Sequence, residues 1–109
     1  MQNKNGDKPN LSIEPKEVIR RATRSWYVFK MRQMRNFNQE DAALNLRSRI
    51  GVLARFPTAT KNPGFRALLA EVLLHVDRLE EGTQQEVEAY LKNENNYADI
   101  LLTMQLAVG

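Results

Sequence analysis

The sequence contains no cysteine, and this absence excludes disulfide bonds and thiolate metal sites. Its single histidine leaves carboxylates to supply almost every ligand of a transition-metal site, so we expect no metal and no cofactor. Apolar runs are far shorter than the roughly 20 residues that a membrane-spanning helix needs, and we expect no membrane partner. Together with the polar N-terminus, these absences predict a cytoplasmic protein.

Sequence motifs of catalysis are also missing. The chain has no glycine-rich phosphate loop, no nucleophile elbow and no paired-carboxylate motif. His75 is the residue that acid–base chemistry would use, with Glu71 and Asp77 near it in sequence. A lone histidine at the edge of an apolar helix face is more often a packing or capping residue. We therefore expect a non-enzymatic protein, with a small hydrolase that uses His75 as the weakest alternative.

The charges, by contrast, are abundant and separated along the chain. Residues 1–66 carry fourteen Lys and Arg against five Asp and Glu, a net charge of +9. Residues 67–109 carry two against eight, a net charge of −6, so the net charge of +3 conceals a dipolar molecule. Such asymmetry indicates either a polyanionic partner for the basic half or pairing between opposite ends of two copies of the chain.

The hydrophobic pattern is helical throughout. No strict alternation of apolar and polar residues exceeds four positions, whereas apolar residues recur at a spacing of three and four. We predict an all-α fold, a small bundle of four to five amphipathic helices. Residues 1–11 are polar, contain Gly6 and Pro9, and are predicted to form a disordered arm. Residues 12–109 then form a single helical domain.

The first predicted helix begins near residues 12–15, with Ser12 or Glu14 as its cap, and runs to about Phe37. At 100° per residue, one arc of this helix is apolar and is expected to face the core. That arc contains Val18, Ile19, Ala22, Trp26, Phe29 and Phe37. The roughly opposite arc is almost purely arginine, and residues 18–37 contain no Asp or Glu. Tyr27 lies off the apolar arc, where its ring would be free to stack on a base.

The second predicted helix has Asn38 as its N-cap and ends near Phe56, before Pro57. Gly51 lies inside this helix, and a close helix–helix crossing would explain it. Residues 57–64 form the predicted loop. The third helix then carries an apolar face as far as Leu79 and ends at Gly82, the predicted left-handed residue.

Residues 83–86, with the sequence TQQE, are a predicted capping box for the next helix, and the asparagine-rich residues 93–96 are expected to break it. The last amphipathic stretch extends from Tyr97 to Val108. Leu102 and Leu106 lie outside its apolar stripe. Because a wide apolar face near a chain end suits self-association, we expect a homo-oligomer, most simply a dimer.

The arginine-rich face of the first helix is the main candidate site. Guanidinium groups match phosphate geometry and stay charged at any physiological pH. We therefore expect nucleic-acid binding through the phosphate backbone, to a duplex of RNA or DNA, with steep salt dependence and little sequence specificity. The alternative is a protein-interaction module, such as an adaptor, chaperone or inhibitor, that docks this face on an acidic protein. The candidate nucleic-acid-binding residues are Arg20, Arg21, Arg24, Lys30, Arg32, Arg35, Arg47 and Arg55.

Overall fold

The computed structural model describes residues 13–55 and 63–109. Within these ranges the chain forms five α-helices and one short 3₁₀ helix, without a strand, which confirms the predicted all-α bundle. The elements are α1 (Pro15–Gln33), α2 (Gln39–Ala54), α3 (Pro63–Leu73), α4 (Glu81–Lys92), a 3₁₀ turn (Glu94–Asn96) and α5 (Tyr97–Val108). The predicted arm at residues 1–11, the cap at Ser12, the helix end at Phe56 and most of the predicted loop at residues 57–64 lie outside the described residues.

Helix α1 is the central helix of the bundle. Pro15 occupies its first turn, where a missing N–H costs no hydrogen bond. Its buried face packs mainly against α5, and also against α3 and α4. Among the described helices, none is long and apolar enough to cross a membrane. The side chains of α1 that the bundle buries are Val18, Ile19, Ala22, Thr23, Trp26 and Tyr27.

The turn between α1 and α2 begins earlier than the sequence predicts. Helix α1 ends at Gln33, and the side-chain amide of Gln39 donates to the carbonyls of Met34 and Phe37 at 3.2 and 3.3 Å. The prediction that Phe37 is part of the apolar helix face is wrong, since this turn leaves its ring largely exposed. Asn38 is confirmed as the N-cap of α2, because its Oδ1 accepts from the backbone amides of Glu40 and Asp41.

The junction between α3 and α4 contradicts two predictions. Helix α3 ends at Leu73, where hydrogen bonds from the backbone amides of His75 and Val76 to carbonyls three residues back tighten its last turn. Residues 76–80 are not helical, so the predicted helix end at Gly82 is wrong. Gly82 instead lies inside the first turn of α4, and no described glycine has a positive φ.

The capping box predicted at residues 83–86 is also wrong. Helix α4 begins at Glu81 with Glu80 at the N-cap, and no side chain caps it. Thr83 lies in the first turn of α4 and is buried. Apolar periodicity failed here because residues 76 and 79 remain half-buried in a non-helical path, so their spacing imitates a continuing helix.

Helix α5 contributes to the core together with α1, α2 and α3. It packs against α1 and α2, and the predicted break before it is confirmed by the 3₁₀ turn at Glu94–Asn96. Its outer side chains Leu102 and Leu106 are exposed, as their positions outside the apolar stripe predict. The buried residues of α5 are Ile100, Leu101, Met104 and Val108.

Candidate functional site

A shallow, open groove runs along the solvent face of α1. Its volume is about 560 Å³, and four exposed arginines line it. The turn after α3 closes one side of the groove with the imidazole of His75. We call this depression the arginine groove. Its lining residues are Arg20, Arg21, Arg24, Ser25, Val28, Phe29, Arg32 and His75.

Two apolar side chains line the arginine groove together with the arginines. Val28 and Phe29 are 37% and 46% exposed. The ring centroid of Phe29 lies 5.1 Å from that of His75, and the two ring planes make an angle of 54°. The Nδ1 atom of His75 lies 3.5 Å from the hydroxyl of Ser25. The prediction that Phe29 lies in the core is wrong, since its side chain is exposed and lines the groove.

Tyr27, which the sequence placed outside the apolar arc, is buried. The bundle buries its side chain, and the guanidinium carbon of Arg24 lies 5.5 Å from the centroid of the ring. The prediction that Tyr27 is free to stack on a base is therefore wrong. Phe29 is the aromatic residue that the groove presents.

Glu17 organises the arginines at one end of the groove. Its carboxylate accepts from Nε of Arg20 and from Nε of Arg21, both at 2.8 Å. Hydrogen bonds from Arg20 and Arg21, in that order of effect, lower the pKa of Glu17 to about 2. Glu17 precedes these arginines by three and four residues, a helical spacing that could have shown this pairing from the sequence.

Arg24 and Arg47 bring the basic surfaces of α1 and α2 together at the end of α5. Arg24 Nη1 donates to the carbonyl of Ala107 at 3.3 Å, and Arg47 Nε donates to the carbonyl of Val108 at 2.8 Å. Cations are stabilising at this end of a helix, where carbonyl groups lack intrahelical partners. Arg24 also lines the groove, whereas Arg47 does not.

The remaining predicted arginines are separated from one another. Arg32 lies in the groove, Arg35 lies in the turn after α1, and Arg55 follows the last residue of α2. All three are exposed, and within residues 13–55 and 63–109 none has an ion-pair partner. The structure therefore adds Arg32 alone of these three to the groove lining.

Lys30 belongs to a different cluster, centred on Glu71. Its Nζ lies 3.4 Å from Oε1 of Glu71, while Arg49 Nη2 lies 2.9 Å from Oε2 and Trp26 Nε1 donates to Oε1 at 3.2 Å. The hydrogen bond from Arg49 is the main cause that lowers the pKa of Glu71 to about 2; burial opposes it, and the indole and the charge of Lys30 assist. Sequence reasoning missed Arg49 and Glu71 because they meet only after α2 and α3 fold onto α1.

Ion pairs between the two halves of the chain neutralise part of the positive charge of the basic half within one molecule. Lys30 and Arg49 of the basic half pair with Glu71 of the acidic half, and Lys16 lies 3.9 Å from Asp99. The sequence suggested a polyanion or a second copy as the partner of the basic half, and its own acidic half takes part of that role. Two groove arginines, Arg20 and Arg21, already pair with Glu17, although no Asp or Glu among the described residues lines the groove itself.

His75 contacts Ser25 and Phe29 and has no carboxylate partner in the described part of the chain. Among the described residues, no group of three or more histidine, aspartate or glutamate side chains is placed to hold a metal ion. Comparison with known protein families, with curated proteins and with solved structures finds no match to this chain. The physical properties of the arginine groove are therefore the basis for a functional proposal.

Proposed function

We propose that this protein is a non-enzymatic nucleic-acid-binding protein whose arginine groove contacts phosphate groups with little sequence specificity. The observation that carries the proposal is the lining of the groove, which among the described residues holds four exposed arginines and no acidic side chain. Guanidinium forks bind phosphate oxygens through paired hydrogen bonds, and each contact releases counterions from the nucleic acid. Binding should therefore weaken steeply as salt rises.

The dimensions of the groove suit a phosphate chain. Arg20 and Arg32 are twelve residues apart on α1, which corresponds to about 18 Å along the helix axis at about 1.5 Å per residue. Besides its arginines and His75, the groove offers one polar side chain, that of Ser25. In the part of the chain that the structure describes, it has no Asn or Gln side chain to read adenine edges, which favours contact with the backbone over contact with base edges.

A fluorescence anisotropy titration with labelled oligonucleotides tests the proposal. The double variant Arg24→Gln/Arg32→Gln removes two groove charges, and we expect it to lower the salt slope of log Kobs by about 1.4 for a single strand or about 1.8 for a duplex. Arg66→Gln/Arg78→Gln is the matched control, because it removes the same charge from exposed positions that do not line the groove. Equal loss in both variants, or no binding at low salt, would contradict the proposal.

The alternative function is a protein-interaction module that docks its basic face on an acidic protein. The exposed side chains of Val28 and Phe29 favour it, since an acidic amphipathic helix could place its apolar side on them and its carboxylates beside the arginines. Such a module would not bind generic DNA or RNA. The same titration separates the two functions, because saturable, salt-sensitive binding to generic nucleic acid is expected only of the first.

We also propose that two copies associate through the outer face of α5. Leu102 and Leu106 are 52% and 73% exposed and lie one helical turn apart, which makes a small apolar surface. Sedimentation velocity should find a dimer that Leu102→Gln/Leu106→Gln converts to monomer. Leu44→Gln, at an exposed leucine of α2, is the control that should leave the dimer intact. A wild-type monomer at the highest concentration would contradict self-association.

A further inference from the structure

We infer that the arginine groove selects single-stranded nucleic acid, with a base stacked on Phe29 and the flanking phosphates held by the arginines around it. This inference rests on the proposed function and specifies the state of its ligand. Arginine content alone predicted a duplex. The exposed apolar side chains in the groove, which only the folded structure reveals, favour the single strand.

The position of the apolar side chains is the first argument. Arg20, Arg24, Val28 and Arg32 follow one another at intervals of four residues, so Val28 interrupts a row of arginines on one face of α1. Phe29 lies beside it, and both side chains line the groove. A duplex presents phosphates and sugars on its outside and keeps its base faces stacked inside, and so it offers no open base face to stack on Phe29. A single strand has unstacked bases for this purpose.

The setting of Phe29 is the second argument. The His75 ring packs against one part of the Phe29 ring, and 46% of the Phe29 surface stays open to solvent. A ring held in this way loses little rotational freedom when a base stacks on it. Arg32 is three residues further along α1, which places it on the neighbouring part of the helix surface. A base on Phe29 therefore leaves the adjoining phosphate within the field of a guanidinium group.

The test compares one labelled oligonucleotide of about 16 nucleotides, single-stranded, with the same strand annealed to its complement. We expect the wild-type protein to prefer the single strand. Phe29→Ala should weaken single-strand binding by about tenfold and change duplex binding little, because the stacking of one base on an aromatic ring contributes on this scale. The salt slope should stay unchanged, since no charge is removed.

Two further variants distinguish a loss of base stacking from a loss of folding. Phe37→Ala removes an exposed phenylalanine that does not line the groove, and it should bind both ligands as the wild type does. Phe29→Trp supplies a larger aromatic ring at the same position, so this variant should bind the single strand at least as tightly as the wild type does. Circular dichroism should show the same helix content in all three variants.

The outcomes separate the two proposals. Equal affinity for duplex and single strand, with no effect of Phe29→Ala, would overturn the single-strand inference and leave phosphate binding in place. Failure of Phe29→Trp to restore binding would also overturn it, because the loss would then reflect packing. No binding of either nucleic acid at low salt would overturn the proposed function itself, and binding of an acidic amphipathic peptide in its place would favour the protein-interaction module.

Discussion

The indole Nε1 of Trp26 donates a hydrogen bond to Oε1 of Glu71 at 3.2 Å, across 45 residues of sequence. Trp26 is fully buried in α1, and the guanidinium carbon of Arg49 lies 5.7 Å from the centroid of its indole ring. One carboxylate on α3 is thereby joined to α1 and α2 together. This cluster stabilises the bundle next to the groove and leaves the groove arginines uncommitted to it.

The Glu71 cluster predicts a loss of stability in acid. The pKa of Glu71 is about 2 in the folded protein, below the ordinary value of 4.5, so its contribution is complete above about pH 4.5 and is lost as the pH falls towards 2. Because the side chain is 35% exposed, solvent screening reduces this contribution to about 1 kcal/mol. Urea unfolding at a series of pH values should show this loss in the wild type and a smaller loss in Glu71→Gln. Glu94→Gln, at an exposed residue with no ion pair in the described chain, should keep the wild-type pH dependence.

Replacing Glu17 should strengthen the binding of nucleic acid. Glu17→Gln removes the carboxylate that pairs with Arg20 and Arg21 and leaves both guanidinium groups free to bind phosphate. We expect anisotropy titrations at low salt to show several-fold tighter binding of nucleic acid and a steeper salt slope. Glu14→Gln changes the net charge equally at an exposed residue that pairs with neither arginine. The same gain in both variants would mean that overall charge, and not the groove, controls affinity.

Replacing Gly51 by alanine should stabilise the folded protein. Among the described residues, a Cβ at Gly51 would meet the side-chain nitrogen of Gln105 at an ordinary 3.9 Å, so they show no approach close enough to require glycine, as the predicted helix crossing would. Gly51→Ala should raise the free energy of unfolding by about 0.5–1 kcal/mol, because alanine loses less backbone entropy in a helix. Thermal unfolding should show a melting temperature several degrees higher. Gly82→Ala, in the first turn of α4, has open space around it and should gain less. A lower melting temperature for Gly51→Ala would contradict this account of the site.

Tyr90→Phe is a second substitution that we expect to stabilise the protein. The hydroxyl oxygen of Tyr90 is buried and has no hydrogen-bond partner among residues 13–55 and 63–109. Burial, assisted by the nearby carboxylate of Asp99, raises the pKa of this hydroxyl. Tyr90→Phe removes an unpaired polar group and should increase the free energy of unfolding by about 1 kcal/mol in urea titrations. Tyr97→Phe, at the other half-buried tyrosine, provides the comparison. Destabilisation by Tyr90→Phe would show that its hydroxyl has a partner in solution.

Local features of the sequence were sufficient for the helical class and for several helix ends. The apolar spacing of Val18, Ala22 and Trp26 predicts the buried face of α1, and Asn38 predicts the start of α2, because both depend on residues within one or two helical turns. The arginines at positions 20, 21, 24 and 32 share one side of α1 for the same reason. These predictions needed no knowledge of the neighbouring helices.

The tertiary structure alone decided what covers each helix and where each charge is satisfied. Phe29 is exposed and Tyr27 is buried, although helical periodicity placed Phe29 on the apolar arc and Tyr27 off it, because periodicity does not reveal which side chains a neighbouring helix covers. Lys30 pairs with Glu71 although 41 residues separate them, and this contact removes it from the arginine face that the sequence predicted. Helix faces follow from bonded geometry over a few residues, whereas the exposure of the apolar groove residues and the ion pairs of neighbouring side chains follow from contacts between distant segments. The sequence by itself determined that one face of α1 is rich in arginine. The fold determined which of these arginines share a groove with the exposed ring of Phe29.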